Sequence, residues 1–249
     1  MKRILLFLII GSFVFPSCKS VYQSKKATGQ YYKIDKKLDA IQDSGIIKMI
    51  LPYKKQLDAI MNEVIGYSQG LTKDKPESTL GNWVADVIAK RAAKATGEKI
   101  DFGVQNYGGL RLGELVKGDI TLGKIYELMP FQNYLTVITV RGDTVQQFFD
   151  RMASYGGWPV SGNVRYKIKD GKAVDIYING APLDPAKKYK IALPDYIANG
   201  GDKCFMLKGK PQKTTAILIR DALIDAVKEA AAKGQAVKSG IEGRTTKTQ

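Results

Sequence analysis

The stretch LTVITVRGDTVQQFFDRMAS, residues 135–154, holds the change of period on which the fold turns. Residues 135–141 alternate and are rich in β-branched side chains, the pattern of a strand. Gly142-Asp143 makes the turn. From Thr144 the apolar positions shift to helical spacing, with Val145, Phe148, Phe149 and Met152 on one face up to residue 154. Three further strands are predicted at residues 164–168, 174–178 and 189–193. Gly171 turns between the first two, and Asp184-Pro185 precedes the third. Helices thus share the chain with strands joined by hairpin-length turns. That predicts an α/β fold of the α+β type, a mixed sheet flanked by helices, over a doubly wound parallel sheet.

Upstream, residues 79–96 read as a helix with Leu80, Trp83, Val84, Val87, Ile88 and Ala92 on one side. Ser78 or Thr79 serves as its N-cap and Gly97 as its stop. Residues 100–105 are a short apolar run expected to be a buried strand, and Thr121 is expected to cap a short helix over 122–128. Further back, Leu38, Ile41, Ile46, Ile47, Ile50, Leu57, Ile60, Met61 and Val64 recur at helical spacing, punctuated by Gly45 and Pro52. This predicts one or two amphipathic helices that lead into the main domain and pack on its surface. Downstream, a last helix is expected over 216–232 with Ile217, Leu218, Leu223, Ile224 and Val227 inward, and the basic tail from Lys233 is expected to fray.

The chain opens as a targeting segment. Met1-Lys2-Arg3 is a positive n-region, and residues 4–15 form an apolar run too short to span a bilayer comfortably. Phe15-Pro16-Ser17-Cys18 resembles a bacterial lipobox, which implies cleavage before Cys18 and lipidation there. The polar residues after it then serve as a tether. The domain reading is a signal peptide at 1–17, a tether at 18–33, a helical lead-in at 34–64 and the main domain at 65–246. The expected location is the bacterial cell envelope, lipid-anchored on the periplasmic side or at the outer membrane.

At 249 residues, 44% hydrophobic and 25% charged, the chain can bury a substantial core. Its formal charge of +15 favours anionic partners. Removing Lys2 and Arg3 from the 39 basic residues leaves 37 against 24 acidic ones, a mature balance of +13. No Lys/Arg cluster alternates with aromatics, so nucleic acid is not an expected partner. Lipidation of Cys18 would leave Cys204 as the single free thiol. Flanked by Phe205 and Met206, it reads as a small core residue. There is no histidine, which excludes a Cys-His mechanism on these residues.

Two glycine loops carry the candidate chemistry. In Asn106-Tyr107-Gly108-Gly109-Leu110-Arg111 an apolar run leads into paired glycines and an arginine, whose planar fork suits phosphate. In Tyr196-Ile197-Ala198-Asn199-Gly200-Gly201-Asp202 a predicted strand gives way to a glycine turn ending on a carboxylate that can accept from two vicinal hydroxyls. Taken singly, each loop also reads as an ordinary turn with a surface arginine or an Asx-type aspartate.

Joined in order with Glu77-Ser78-Thr79-Leu80-Gly81-Asn82, Asp119-Ile120-Thr121, Met129-Pro130-Phe131-Gln132-Asn133, Asp184-Pro185 and Glu242-Gly243-Arg244, these segments resemble the C-terminal domain of the 5'-nucleotidases. The resemblance covers residues 65–244. It implies that domain's fold and a substrate-binding role. Phe131 and Tyr196 would sandwich the base, Asp202 would hold the ribose hydroxyls, and Arg111 would reach toward the phosphate. Asn106 and Asn133 would add polar contacts, and Gly156 would make a close approach beside the base. Three departures stand out. Pro76 occupies the place of an arginine, with Lys73 and Lys75 nearby. Tyr107 stands where a glycine is usual. Lys203 follows the aspartate where another glycine is usual, and it is strained if that position needs a positive φ.

Catalysis in the family uses a two-metal site with His, Asp and Asn ligands on a separate metallophosphatase domain, for which there is no room before Ile34. No catalytic residue, metal ligand or cofactor is therefore expected on this chain. Divalent metals are expected on a separately encoded metallophosphatase partner. The expected function is the nucleotide- or nucleoside-recognising part of a split 5'-nucleotidase. Two alternatives are a stand-alone nucleotide- or nucleoside-binding lipoprotein without catalysis and a structural lipoprotein whose site has decayed.

Overall fold

The computed structural model describes residues 29–31 and 44–248. The expected signal peptide, Cys18 and most of the tether lie outside the described residues, as do Leu38 and Ile41. The chain divides into two units, residues 1–49 and 50–249. In the first, residues 29–31 are irregular and exposed, and a helix, α1 (Ser44–Met61), begins.

In the second unit α1 ends and is followed by β1 (Val64–Ser68), β2 (Leu71–Thr72), α2 (Thr79–Thr96) and β3 (Phe102–Gly103). Next come β4 (Glu114–Leu115), β5 (Gly118–Thr121), α3 (Leu122–Leu128), β6 (Tyr134–Arg141) and α4 (Gly142–Ser154). The hairpin β7 (Val164–Lys169) and β8 (Lys172–Ile178) leads through β9 (Ala181–Pro182) to β10 (Lys188–Pro194) and the single turn α5 (Asp195–Ala198). The chain finishes with β11 (Gln212–Leu218), α6 (Ile219–Ala232) and β12 (Thr245–Lys247). Strands β11-β6-β10-β3 form one four-stranded sheet and β12-β7-β8-β9 another, with β1-β5 and β2-β4 as separate pairs. Both larger sheets are mixed, because β10 runs parallel to β3 and β12 parallel to β7. The mixed α/β architecture read from the sequence is the one observed.

The central sheet separates two cores. Side chains alternate across a strand, so Ile138 and Val140 of β6 and Ile191 and Leu193 of β10 enter one cluster, with Phe148, Phe149, Trp158 and Tyr166. Leu135 and Val137 of β6 and Ala192 of β10 enter the other, with Leu80, Ile88, Ile125 and Leu223. Burying each large side chain contributes about 1.5–3 kcal/mol, and β6 collects this on both faces. The predicted caps are in place. Ser78 accepts from the Gly81 N–H, Gly97 closes α2 at φ 69°, and Thr121 accepts from the Lys124 N–H.

Three expectations fail. Residues 216–218 are strand, not helix: β11 pairs antiparallel with β6, setting Leu218 against Tyr134, and the helix starts at Ile219. The β-branched and apolar side chains of Thr214-Thr215-Ala216-Ile217-Leu218 suit that edge. The tail does not fray at Lys233. Val237 bridges to Ser68, and β12 extends the β7 sheet. Arg244, only 2% exposed, holds the tail by a bidentate pair to Asp86, both contacts 2.8 Å. Within the second unit the lead-in helix leaves Ile50, Leu51, Leu57 and Ile60 exposed, where packing on the domain was expected. No helix among the described residues is long and apolar enough to cross a membrane.

Candidate functional site

Topology assembles the site. Because β3 and β10 are adjacent and parallel, with Ile191 opposite Phe102, their carboxyl ends meet at one edge of the sheet. The loops that follow them, residues 105–111 and 195–203, are therefore neighbours. Strand β6 is antiparallel to β10 and pairs Leu135 with Pro194, so the segment preceding it reaches the same edge. Ligands of α/β sheets lie outside such carboxyl ends. A cavity of about 420 Å³ opens there, and Asn106, Arg111, Phe131, Asn133, Tyr196 and Asp202 all line it. Gly108 and Gly109 complete its wall. Six of the seven residues singled out by sequence are thus brought together. The seventh, Gly156, is not among the lining residues. It sits at φ 82° with the Lys75 side chain over its Cα.

Asp202 is the most tightly organised group in the cavity. Its Oδ2 accepts from Asn106 Nδ2 at 2.7 Å and its Oδ1 from the Tyr196 hydroxyl at 3.0 Å. Arg151 Nε donates to its backbone carbonyl at 2.9 Å. An ionised carboxylate has about four acceptor positions, so each oxygen keeps one for a ligand hydroxyl. The turn that presents it is costly: Gly200 stands at φ 93°, and the non-glycine residues Asp202 and Lys203 follow at 49° and 62°. The condition for strain at Lys203 is met. Gly201 is required for a different reason: a Cβ there would lie 2.6 Å from the Tyr196 ring.

The rim is cationic. The Arg111 guanidinium lies over the Phe131 ring, 4.8 Å from its centroid. Lys73 and Lys75 place their ammonium groups 4.1 and 4.4 Å from the centre of the Tyr107 ring. Lys73 also donates to the Leu110 carbonyl at 2.6 Å. Burial, and then repulsion from Arg111 and Lys75, hold the Lys73 ammonium below the usual lysine pKa. An anion placed between these groups relieves that repulsion. Tyr107, one of the departures from the family pattern, and the two lysines near Pro76 thus form one cation–π group beside the cavity.

Cys204 is buried, and burial pushes its thiol up to about 12, the behaviour of a core residue. Among the described residues no group of three or more His, Cys, Asp or Glu is placed to hold a metal. The acidic group in the cavity is the single carboxylate of Asp202, already hydrogen-bonded, so this donor set does not fit a metal centre. A larger groove of about 540 Å³ lies between α2 and α6. On its wall Arg91 pairs to Asp225 at 3.0 Å and to Glu229 at 3.1 Å, and Lys90, Lys94 and Lys233 also line it. Sequence reasoning missed Arg151, whose helical spacing carries no sign of its reach to Asp202. It also missed Gln105, for which the signal was a polar side chain ending an apolar run.

A carboxylate, two aromatics and a cationic rim around one cavity on the carboxyl edge of a mixed sheet place the chain among α/β domains with a candidate ligand site at the strand ends. The family model for the 5'-nucleotidase C-terminal domain matches residues 60–209, and the chain belongs to that family. Protein UshA of Salmonella pullorum is 30% identical over 198 residues, covering 75% of this chain and 35% of that protein. Protein UshA of Escherichia coli gives the same figures. The chain thus spans about a third of the length of these relatives. The 5'-nucleotidase precursor from Thermus thermophilus superposes with a TM-score of 0.70 at 26% identity, over 83% of this chain and 43% of that one. Cell wall protein Lmo0130 of Listeria monocytogenes is 27% identical over 94% of this chain and 32% of its own length.

Proposed function

We propose that this chain is the nucleotide-recognising part of a split 5'-nucleotidase, whose hydrolytic metal site lies on a separately encoded metallophosphatase. The observation that carries the reading is the Asp202 carboxylate, held by Asn106 and Tyr196 in a cavity that also contains Phe131 and Arg111. Asp202 accepts both ribose hydroxyls, as the vicinal pair matches its two free acceptor positions. The base stacks between Phe131 and Tyr196, worth about 1–3 kcal/mol per base, and Asn133 contributes a polar contact at the cavity wall. The phosphate points toward Arg111, with the charge of Lys73 and Lys75 beside it. The lysines supply charge without the planar fork of an arginine. Metal ions held by the partner would supply the activated water and the Lewis acid. The absence of histidine from these 249 residues agrees with that division.

Phosphate release from AMP in the presence of divalent metal tests the division of labour. The purified chain alone is expected to release none, and addition of a metallophosphatase partner to restore turnover. Hydrolysis by the chain alone overturns the reading. Tight nucleotide binding with no partner able to confer turnover favours the stand-alone binding protein. We further propose that Cys18 carries the lipid that fixes the chain in the cell envelope. Replacing Cys18 by serine is expected to move the protein from the membrane to the soluble fraction, and unchanged membrane association overturns the anchor.

A further inference from the structure

The loop after β3 contains a buried polar side chain that the recognition scheme does not use. Gln105 is 0% exposed. Its Nε2 donates to Asn106 Oδ1 at 2.8 Å, while its Oε1 has no hydrogen-bond partner. A half-satisfied amide in an apolar interior is destabilising, so its presence there needs another reason. The geometry supplies one. The Asn106 amide can face Asp202 with either end, and only its Nδ2 end attracts the carboxylate. Gln105 holds the Oδ1 end, which leaves Nδ2 directed at Asp202 Oδ2.

Gly109 belongs to the same arrangement. A Cβ on it would lie 2.1 Å from Gln105 Nε2 and 2.8 Å from Asn106 Oδ1. The second glycine of the loop is therefore the space into which the paired amides fit. Gly108, by contrast, has its nearest neighbour 4.0 Å from an added Cβ and makes no such room.

We infer that Gln105 is a positioning residue for ribose recognition. It fixes the orientation of the Asn106 amide, and through it the Asp202 carboxylate, and Gly109 is the residue that permits the contact. The inference rests on the reading of Asp202 as the ribose anchor. Its consequence is selective. Loss of Gln105 weakens recognition of the 2'- and 3'-hydroxyls and leaves base stacking and phosphate contacts in place. Gln105→Glu has a stronger effect than loss, because the introduced carboxylate has no N–H to donate and draws Asn106 Nδ2 to itself, turning Oδ1 toward Asp202.

Calorimetry with AMP and 2',3'-dideoxy-AMP on the purified full chain tests this in wild type, Gln105→Leu, Gln105→Glu and Gly109→Ala. Wild type is expected to prefer AMP by about tenfold or more, the range for hydrogen bonds to a charged group. Gln105→Leu is expected to cut that preference to about threefold or less and the other two variants to abolish it. In all three, dideoxy-AMP affinity is expected to stay within about twofold of wild type, because the contacts it uses are untouched. General structural damage would lower both ligands together, so the ratio isolates the positioning role. A wild-type ratio in folded Gln105→Leu and Gln105→Glu overturns the inference. Equal binding of the two ligands by wild type overturns the ribose-anchor reading itself.

Discussion

Asp202 is presented by a turn that only glycine adopts cheaply, yet Asp202 and Lys203 both occupy it at positive φ. Left-handed backbone costs a non-glycine residue roughly 1–2 kcal/mol, and such strain persists where surrounding contacts fix it. Here the contacts are Asn106, Tyr196 and Arg151 on the aspartate. Lys203 has no comparable role in the cavity, so Lys203→Gly is expected to stabilise the protein by about 1 kcal/mol, read as a higher urea midpoint, with nucleotide affinity unchanged. Tyr196→Phe keeps the ring and removes one hydrogen bond to the carboxylate. It is expected to weaken AMP binding about threefold to tenfold, measured by calorimetry, with little change for dideoxy-AMP. At this scale the sequence was informative where residues belong to a motif, as with Asp202, Tyr196 and Arg111, which line one cavity. It was silent where the role depends on what lies across the fold. Arg151 sits 51 positions from its partner Asp202, and local spacing does not encode that.

Among elements, β6 and α4 were legible because one stretch changes from a period of two to a helical one at a glycine, and the caps of α2 and α3 were legible for similarly local reasons. The edge strands were not. β11 merges into α6 without a turn signal, and β12 is three residues held by a distant ion pair. Arg244 makes that attachment, with Glu77 accepting the backbone N–H groups of Glu242 and Arg244 at 2.8 Å each. Arg244→Leu is expected to destabilise the domain by roughly 2 kcal/mol. That lies below the fully buried case because Asp86 and Glu242 are nearly half-exposed. Limited proteolysis should then cut first near β12. Tyr166 of β7, paired with Thr245 of that strand, carries a phenol that burial pushes up to about 12 from an ordinary 10.0. Its folded pKa is raised, so its contribution is intact below pH 10 and is lost as pH rises toward 12. Stability should fall by on the order of 2 kcal/mol across that window, and Tyr166→Phe should flatten the decline in a pH series of urea melts.

For the whole molecule, the fold and the cavity follow from a single topological fact. Two parallel strand ends and one antiparallel strand start share an edge, and the three loops there carry Asp202, the two aromatics and Arg111. The family pattern placed six of the seven site residues in that cavity. Gly156 lies outside that lining, with the Lys75 side chain as its neighbour. A net charge of +15 adds a long-range pull on anionic ligands, so nucleotide affinity should fall with added salt more steeply than nucleoside affinity. The most direct test of recognition by this chain is calorimetric titration of AMP into the purified protein in metal-free buffer, wild type against Asp202→Ala. Saturable one-to-one binding by wild type, lost or weakened at least about tenfold in Asp202→Ala, is the expected result. No binding by wild type, or equal binding by both, contradicts it.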